Sequence, residues 1–161
     1  MIVCSWCDTT LNPEEPSRVS HGICPKCKDV FFGELQPVPI REYIERFGFP
    51  ILLVGSNVEL EEANRGACEF VGKEFSEIKG QLGGKVMECV YSRHPGGCGK
   101  TVHCEACTIR RSVTKTHRTG EPVVDAMSYQ EVLTDDGPKR IPLRISTVKN
   151  ANSVLLKIVP A

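Results

Sequence analysis

The sequence predicts an α+β chain, a small metal-folded module followed by one domain of strands and short helices. Three observations carry this. Cys4-Ser-Trp-Cys7 and Cys24-Pro-Lys-Cys27 are two C-x2-C pairs separated by sixteen residues. Beyond residue 48, apolar runs of strand length come first as a pair and then, after a helical stretch, as a set of three. Between those groups, residues 89–111 hold four of the nine cysteines, Cys89, Cys98, Cys104 and Cys107. The expected boundaries are 1–33 for the module, 34–48 for a linker helix and 49–161 for the main domain.

Composition narrows the function classes. Twenty acidic and twenty basic residues cancel, so no global charge draws the chain to nucleic acid or anionic membrane. The longest unbroken apolar run, residues 51–54, is far too short to span a bilayer. The first residues, Met1-Ile2-Val3-Cys4, lack the charged and apolar regions of a secretion signal. A cytoplasmic location is therefore expected, and there nine cysteines read as reduced thiols and metal ligands rather than disulfides. The odd count points the same way.

In order along the chain, Cys4, Cys7, Cys24 and Cys27 come first. A two-residue gap lets both sulfurs of one tight turn reach a single ion, and two such turns complete a tetrahedron. A structural zinc is expected there, with rubredoxin-like iron as the alternative. Arg18, His21, Lys26 and Lys28 stand close enough in sequence to offset the thiolate charge. A break at 32–33 and Pro37-Val-Pro39 follows. Ile40, Tyr43, Ile44 and Phe47 then recur at helical spacing, and Gly48 ends that helix.

Residues 49–54 read as a buried strand, Gly55-Ser-Asn57 as a turn and 58–63 as a second strand. Asn64 is a helix cap, with Ala67, Cys68 and Val71 on the same face and Gly72 as the stop. Cys68 is expected to be a plain core cysteine. Residues 73–79 give another short helical turn around Phe75 and Ile78. A longer helix is expected over 105–116, with Ala106, Ile109 and Val113 inward and Arg110, Arg111 and Lys115 outward. Gly120-Glu-Pro122 breaks it. Three strands remain, 123–133, a strand alternating Ile141, Leu143, Ile145 and Thr147, and 154–159. The turns Asp135-Asp-Gly137-Pro138 and Asn150-Ala-Asn152-Ser153 join them. Pro142 suggests an edge or an irregular start.

With these residues in place, 38–161 resembles a PAS domain. The leading helix, the strand-turn-strand over 51–63, the Asn64 cap, Val71-Gly72, Thr119-Gly120-Glu121-Pro122 and the Asp136-Gly137 turn carry the resemblance. It implies a five-stranded antiparallel sheet with flanking helices and a sensory role. Residues 4–27, with Ser20-His21-Gly22-Ile23-Cys24-Pro25, resemble the small zinc ribbon often attached to bacterial signalling proteins. Cys89, Gly97-Cys98-Gly99 and the Cys104–Cys107 pair are similar to a cysteine-rich subset of bacterial PAS sensors presumed to hold a metal or an iron–sulfur cluster.

That second cysteine set is expected to bind zinc or an iron–sulfur cluster, since four thiolates suit both. Gly96, Gly97 and Gly99 allow the backbone to bend around an ion, and Arg93, Lys100, Arg110 and Arg111 can balance its charge. His94 and His103 are candidate substitutes for a cysteine ligand, though surface or supporting positions are the plainer expectation. Enzyme motifs fail on inspection. Gly99-Lys100-Thr101 lacks the glycine of a phosphate-binding loop, because His94 stands there. His103-Cys104-Glu105 lacks the downstream Cys-x2-Cys of zinc deaminases. No Cys-x2-Cys is followed by His, so covalent haem is unsupported.

The expectation is a non-enzymatic regulatory protein that relays a redox or ligand signal to a signalling partner protein, with a homodimer as a further partner state. The alternative is a structural zinc-binding adaptor without sensing chemistry. Nucleic-acid binding ranks lower, because basic residues in the ribbon are few and Trp6 is its aromatic. An electron carrier would need iron at the ribbon. Residues 1–161 hold no kinase, cyclase or DNA-binding output pattern, so the signal is expected to pass to another protein.

Overall fold

The structure is a computed structural model that describes residues 1–13, 20–32 and 39–161. These fall into two compact units, Met1–Tyr43 and Ile44–Ala161. Two sequence features, Arg18 and the break around 33–38, lie outside the described residues.

In the first unit, β1 (Ile2–Cys4) is the central strand of three. It pairs antiparallel with β2 (Thr10–Asn12) and parallel with β3 (Ser20–Gly22). Helix α1 (Pro25–Phe32) starts directly after Cys24. Pro25 suits that first helical position, where its missing N–H has no intrahelical partner to lose. Helix α2 (Ile40–Ile44) is shorter than its periodicity predicts. The Ile44 carbonyl, which would carry the helix on to Gly48, accepts instead from Phe47 N–H (3.3 Å) and from the Asn64 side-chain amide (3.1 Å). Phe47 therefore lies in the turn beyond the helix.

The second unit is built on five antiparallel strands in the order β5-β4-β8-β7-β6. β4 (Ile51–Val54) pairs with β5 (Leu60–Ala63) on one side and β8 (Ser153–Pro160) on the other. β7 (Gly137–Asn150) lies between β8 and β6 (Val123–Thr134). The first two strands thus meet the last, and the edges of the sheet are β5 and β6. β5 begins two residues later than its sequence pattern predicts. Val58 has φ +63° and closes a turn, and Glu59 bridges to Leu82 instead of joining the ladder.

Four helices connect the strands: α3 (Arg65–Val71), α4 (Phe75–Ile78), α5 (Gly83–Val86) and α6 (Thr108–Thr119). They bury Ala67, Ile78, Val86, Ile109 and Val113 against Leu52, Val54, Leu143, Ile145, Val154, Leu156 and Ile158 of the sheet. Cys68 packs at the margin of this core, as expected. α6 starts later than predicted. Residues 102–106 form a 3-10 turn, and Cys107 is extended (ψ 115°) before the helix begins. Ala106, predicted inward, is exposed. Pro142 is interior rather than on an edge strand. Its carbonyl accepts from Ala161 N–H, so its missing N–H also points toward the end of the β7–β8 ladder, just past the Leu143–Pro160 pair.

Asn64 fixes the geometry at the entry to the second unit, and its partners Ile44, Phe49, Ile51 and Ala67 all lie within that unit. It is 1% exposed and its side chain makes four bonds. Its Oδ1 accepts from Ile51 N–H (3.0 Å) and Ala67 N–H (2.8 Å), and its amide donates to Ile44 C=O (3.1 Å) and Phe49 C=O (2.9 Å). One side chain thereby caps α3, ends α2 and sets the entry to β4. Replacing it by Leu takes their Asn64 partner from Ile51 N–H, Ala67 N–H and Phe49 C=O and leaves Ile44 C=O only its bond from Phe47, and the expected loss is about 3 kcal/mol in chemical denaturation of the full chain. Asn64→Asp keeps both acceptor bonds but sets a second oxygen against the Ile44 and Phe49 carbonyls and buries a charge, so it should not recover that loss.

Candidate metal centres

The first centre is assembled by local backbone rules. Cys4 ends β1, and the chain turns so that Cys4 N–H meets Thr9 C=O (2.8 Å) and Asp8 N–H meets Cys4 C=O (3.0 Å). Cys24 N–H donates to Cys4 Sγ (3.4 Å) and Cys27 N–H to Cys24 Sγ (3.3 Å). The sulfurs of Cys4, Cys7, Cys24 and Cys27 all lie within 4.8 Å of one another. A tetrahedral ion with Zn–S bonds of about 2.3 Å needs sulfurs about 3.8 Å apart, so the set fits a single metal ion.

Protonation agrees with that fit. Burial alone would raise the Cys7 thiol. Its bonds with the Thr9 side chain and backbone, and with Cys24 and Cys4, outweigh burial and bring it down to about 6. Cys27 is pushed well above the ordinary thiol value, first by burial and then by its bonds to Cys24, Cys7 and Cys4 and the Cys4 charge. Sulfurs this close cannot all carry charge unless a cation shares the site.

The second cysteine set lies within the other unit. Cys89, Cys98, Cys104 and Cys107 all line one cavity of about 240 Å³, walled by Leu52, Val54, Leu60, Val86, Leu156 and Ile158. Each sulfur is placed differently. Cys89 follows Glu88 (φ +56°) and bridges to Val132 at the β6 edge. Cys98 Sγ accepts from Gly84 N–H (3.3 Å) and from the Arg110 guanidinium (3.2 Å). Cys104 Sγ accepts from Gly99 N–H (3.1 Å) and is 3.3 Å from Thr101 Oγ1. Cys107 stands at the start of α6, with Gln130 Nε2 4.0 Å away. Among the described residues, no three potential ligand atoms here gather within 4.8 Å as the first four do.

The cavity also splits its thiols. Burial raises Cys89, reinforced by the charges of Cys107 and Cys98 and only partly countered by bonds from the Tyr91 and Ser92 backbone. At Cys104 burial acts upward as well. The bonds from Thr101 and Gly99 and the Arg110 charge outweigh it, and this thiol is lowered.

Arg110, expected among the charge-balancing cations but read by periodicity as facing outward, donates to Cys98. Arg93 pairs instead with Glu88 (3.3 Å). Other contributors were not evident in the sequence. Gly84 is needed for close approach, since a Cβ there would stand 2.9 Å from Cys98 Sγ. His103 stacks on Tyr91 (centroids 3.9 Å apart, 14° between planes) and His94 sits edge-on to both. Tyr91 in turn donates to Glu131 (2.9 Å).

Neither a protein-family model nor a curated protein matches the chain. Solved structures do. The Rhodobacter sphaeroides LOV protein aligns at 13% identity over 75% of this chain and 64% of that one, with a TM-score of 0.50. The PAS domain of nitrogen regulation protein NR(II) from Vibrio parahaemolyticus aligns at 9% identity over 78% and 100%, TM-score 0.49. A PAS domain from Desulfitobacterium hafniense aligns at 17% over 74% and 99%, TM-score 0.45. At such identities the likeness concerns architecture, and the fold of the sheet-bearing unit is PAS-like.

Three outcomes are expected from this geometry. Because Cys7 is held below its ordinary value, its thiolate contribution is complete above that value and is lost as pH falls through about 6. The affinity of the first centre for metal should therefore weaken as pH falls, measured by competition with a chromophoric chelator. Because Cys27 is held protonated, metal binding at pH 7 should release protons into weakly buffered solution. Gly84→Ala should push Cys98 aside and reduce occupancy of the second centre, while the first centre keeps its metal.

Proposed function

We propose that the chain is a non-enzymatic sensory module in which the PAS-like unit carries an iron–sulfur cluster on Cys89, Cys98, Cys104 and Cys107. The single observation that carries the reading is that four thiols line one apolar cavity yet do not close onto a point. A mononuclear tetrathiolate needs the tight group seen at Cys4, Cys7, Cys24 and Cys27, whereas a polynuclear core takes its ligands farther apart. Backbone and guanidinium N–H groups aimed at Cys98 and Cys104 are the kind of donors that tune such a centre. When bound, the cluster supplies a redox-active, oxygen-labile group. The residues of this chain hold it, exclude water from it and feel its charge. Zinc at the first centre serves folding, and the signal passes to a partner protein in the cytoplasm.

A second reading is a structural adaptor with zinc at both centres. It draws on Met127 (45% exposed) and Tyr129 (53% exposed), which leave an apolar contact surface on β6.

Metal content and the visible spectrum of protein purified without air decide between them. One zinc with several irons and sulfide per chain, and a brown colour lost in Cys98→Ser and Cys107→Ser, is the expected result. Two zincs and no colour would establish the adaptor.

A further inference from the structure

Arg110 joins two places that the chain does not otherwise connect in sequence. Nη2 donates to Cys98 Sγ (3.2 Å), and Nη1 donates to Asn57 Oδ1 (2.7 Å) in the turn between β4 and β5. The guanidinium fits because residue 99 is glycine. A Cβ there would stand 2.7 Å from Arg110 Cζ, and the backbone has φ +87°. A planar fork that holds two acceptors at once fixes both relative to one rigid group.

A second path links the same two ends. Gly84 N–H donates to Cys98 Sγ (3.3 Å), and its neighbour Gly83 N–H donates to Val58 C=O (2.8 Å). Val58 follows Asn57. The contacts therefore close a ring: Cys98, Arg110, Asn57, Val58, Gly83, Gly84 and back to Cys98. Val58 is β-branched and sits at φ +63°, a region such residues seldom enter. The turn keeps a conformation that its neighbours impose. Ser56 and Asn57 are exposed, so a change there is visible from outside.

We propose that Arg110 is the positioning residue that ties the charge held at the cysteine cavity to the shape of the β4–β5 turn. The inference rests on the cluster reading of that cavity for its signal, but the mechanical link is a property of the side chains themselves. Both N–H donors on Cys98 strengthen as the sulfur carries more negative charge, as it does when the centre gains an electron. Both then pull on the same turn. Reduction changes the turn through a ring of six residues, without movement of the sheet.

The test uses the full chain without air, with dithionite as reductant. Two readouts are taken: amide exchange over residues 56–59 and the midpoint potential of the centre. In the wild type, exchange over 56–59 should slow on reduction. In Arg110→Gln it should be about tenfold faster, with the response to reduction reduced to what the Gly84 path transmits, and the potential should fall, because a cation that favours the reduced state is gone. Arg110→Lys should restore the potential but not the turn. Asn57→Ala should free the turn and leave the potential unchanged. A wild-type potential together with wild-type exchange in Arg110→Gln would overturn the proposal.

A double-mutant cycle of Arg110→Gln with Cys98→Ser, read by exchange in protein that keeps zinc at the first centre and carries no iron, separates this inference from the cluster reading. Non-additive effects support the link even if the chain binds no iron. Additive effects sink it even if the cluster is present. Should Cys98→Ser fail to fold, Arg110→Gln with Asn57→Ala is read in the same way.

Discussion

Four hydrogen bonds to one buried amide hold the sheet-bearing unit in register. The Asn64 side chain takes two backbone donors and two backbone acceptors from four different places in the chain, and every one of its polar atoms is met. An amide is well suited to this, because it carries both donors and acceptors and no charge that burial would penalise. The consequence is structural economy. The end of α2, the start of β4 and the cap of α3 are set by one residue, so the β4–β5 hairpin enters the sheet at a defined angle. The cavity wall that Leu52 and Val54 contribute is placed by the same act.

The two cysteine sets show how differently a protein can place thiols. At the first centre, local turns bring the sulfurs together, and the strand pairings only join the two knuckles. At the second, the sulfurs depend on long-range contacts: Cys89 on the β6 edge, Cys98 on α5 and α6, Cys107 on the start of α6. The first set is compact and the second surrounds a space. Burial opposes ionisation at both, and in each it is hydrogen bonding that selects which sulfur carries charge.

This difference also governs what could be read from residues alone. The C-x2-C pairs encode their own geometry, so Cys4, Cys7, Cys24 and Cys27 were legible by spacing. Strands with strict alternation, such as Leu143, Ile145 and Thr147, and a capped helix at Asn64 were legible for similar reasons. Boundaries set by tertiary contacts were not. Val58 leaves the β5 ladder because a turn and α5 claim it, and α2 stops where Asn64 captures its carbonyl. Arg110 looked like a solvated helix residue by periodicity. Its inward turn depends on a gap at Gly99 and an acceptor at Asn57, fifty-three residues away. No local pattern encodes that. Gly84 is a similar case, since its importance lies in the sulfur that sits against it.

The sheet order bears on how the cavity comes into being. Leu52 pairs with Leu156, so the wall formed by β4 and β8 joins segments from opposite ends of the domain. Such non-local pairing is slow to form. The thiols at 89–107 lie between these segments in sequence and are present before the wall closes over them. The cavity that these thiols line is therefore complete only when both ends of the domain have paired.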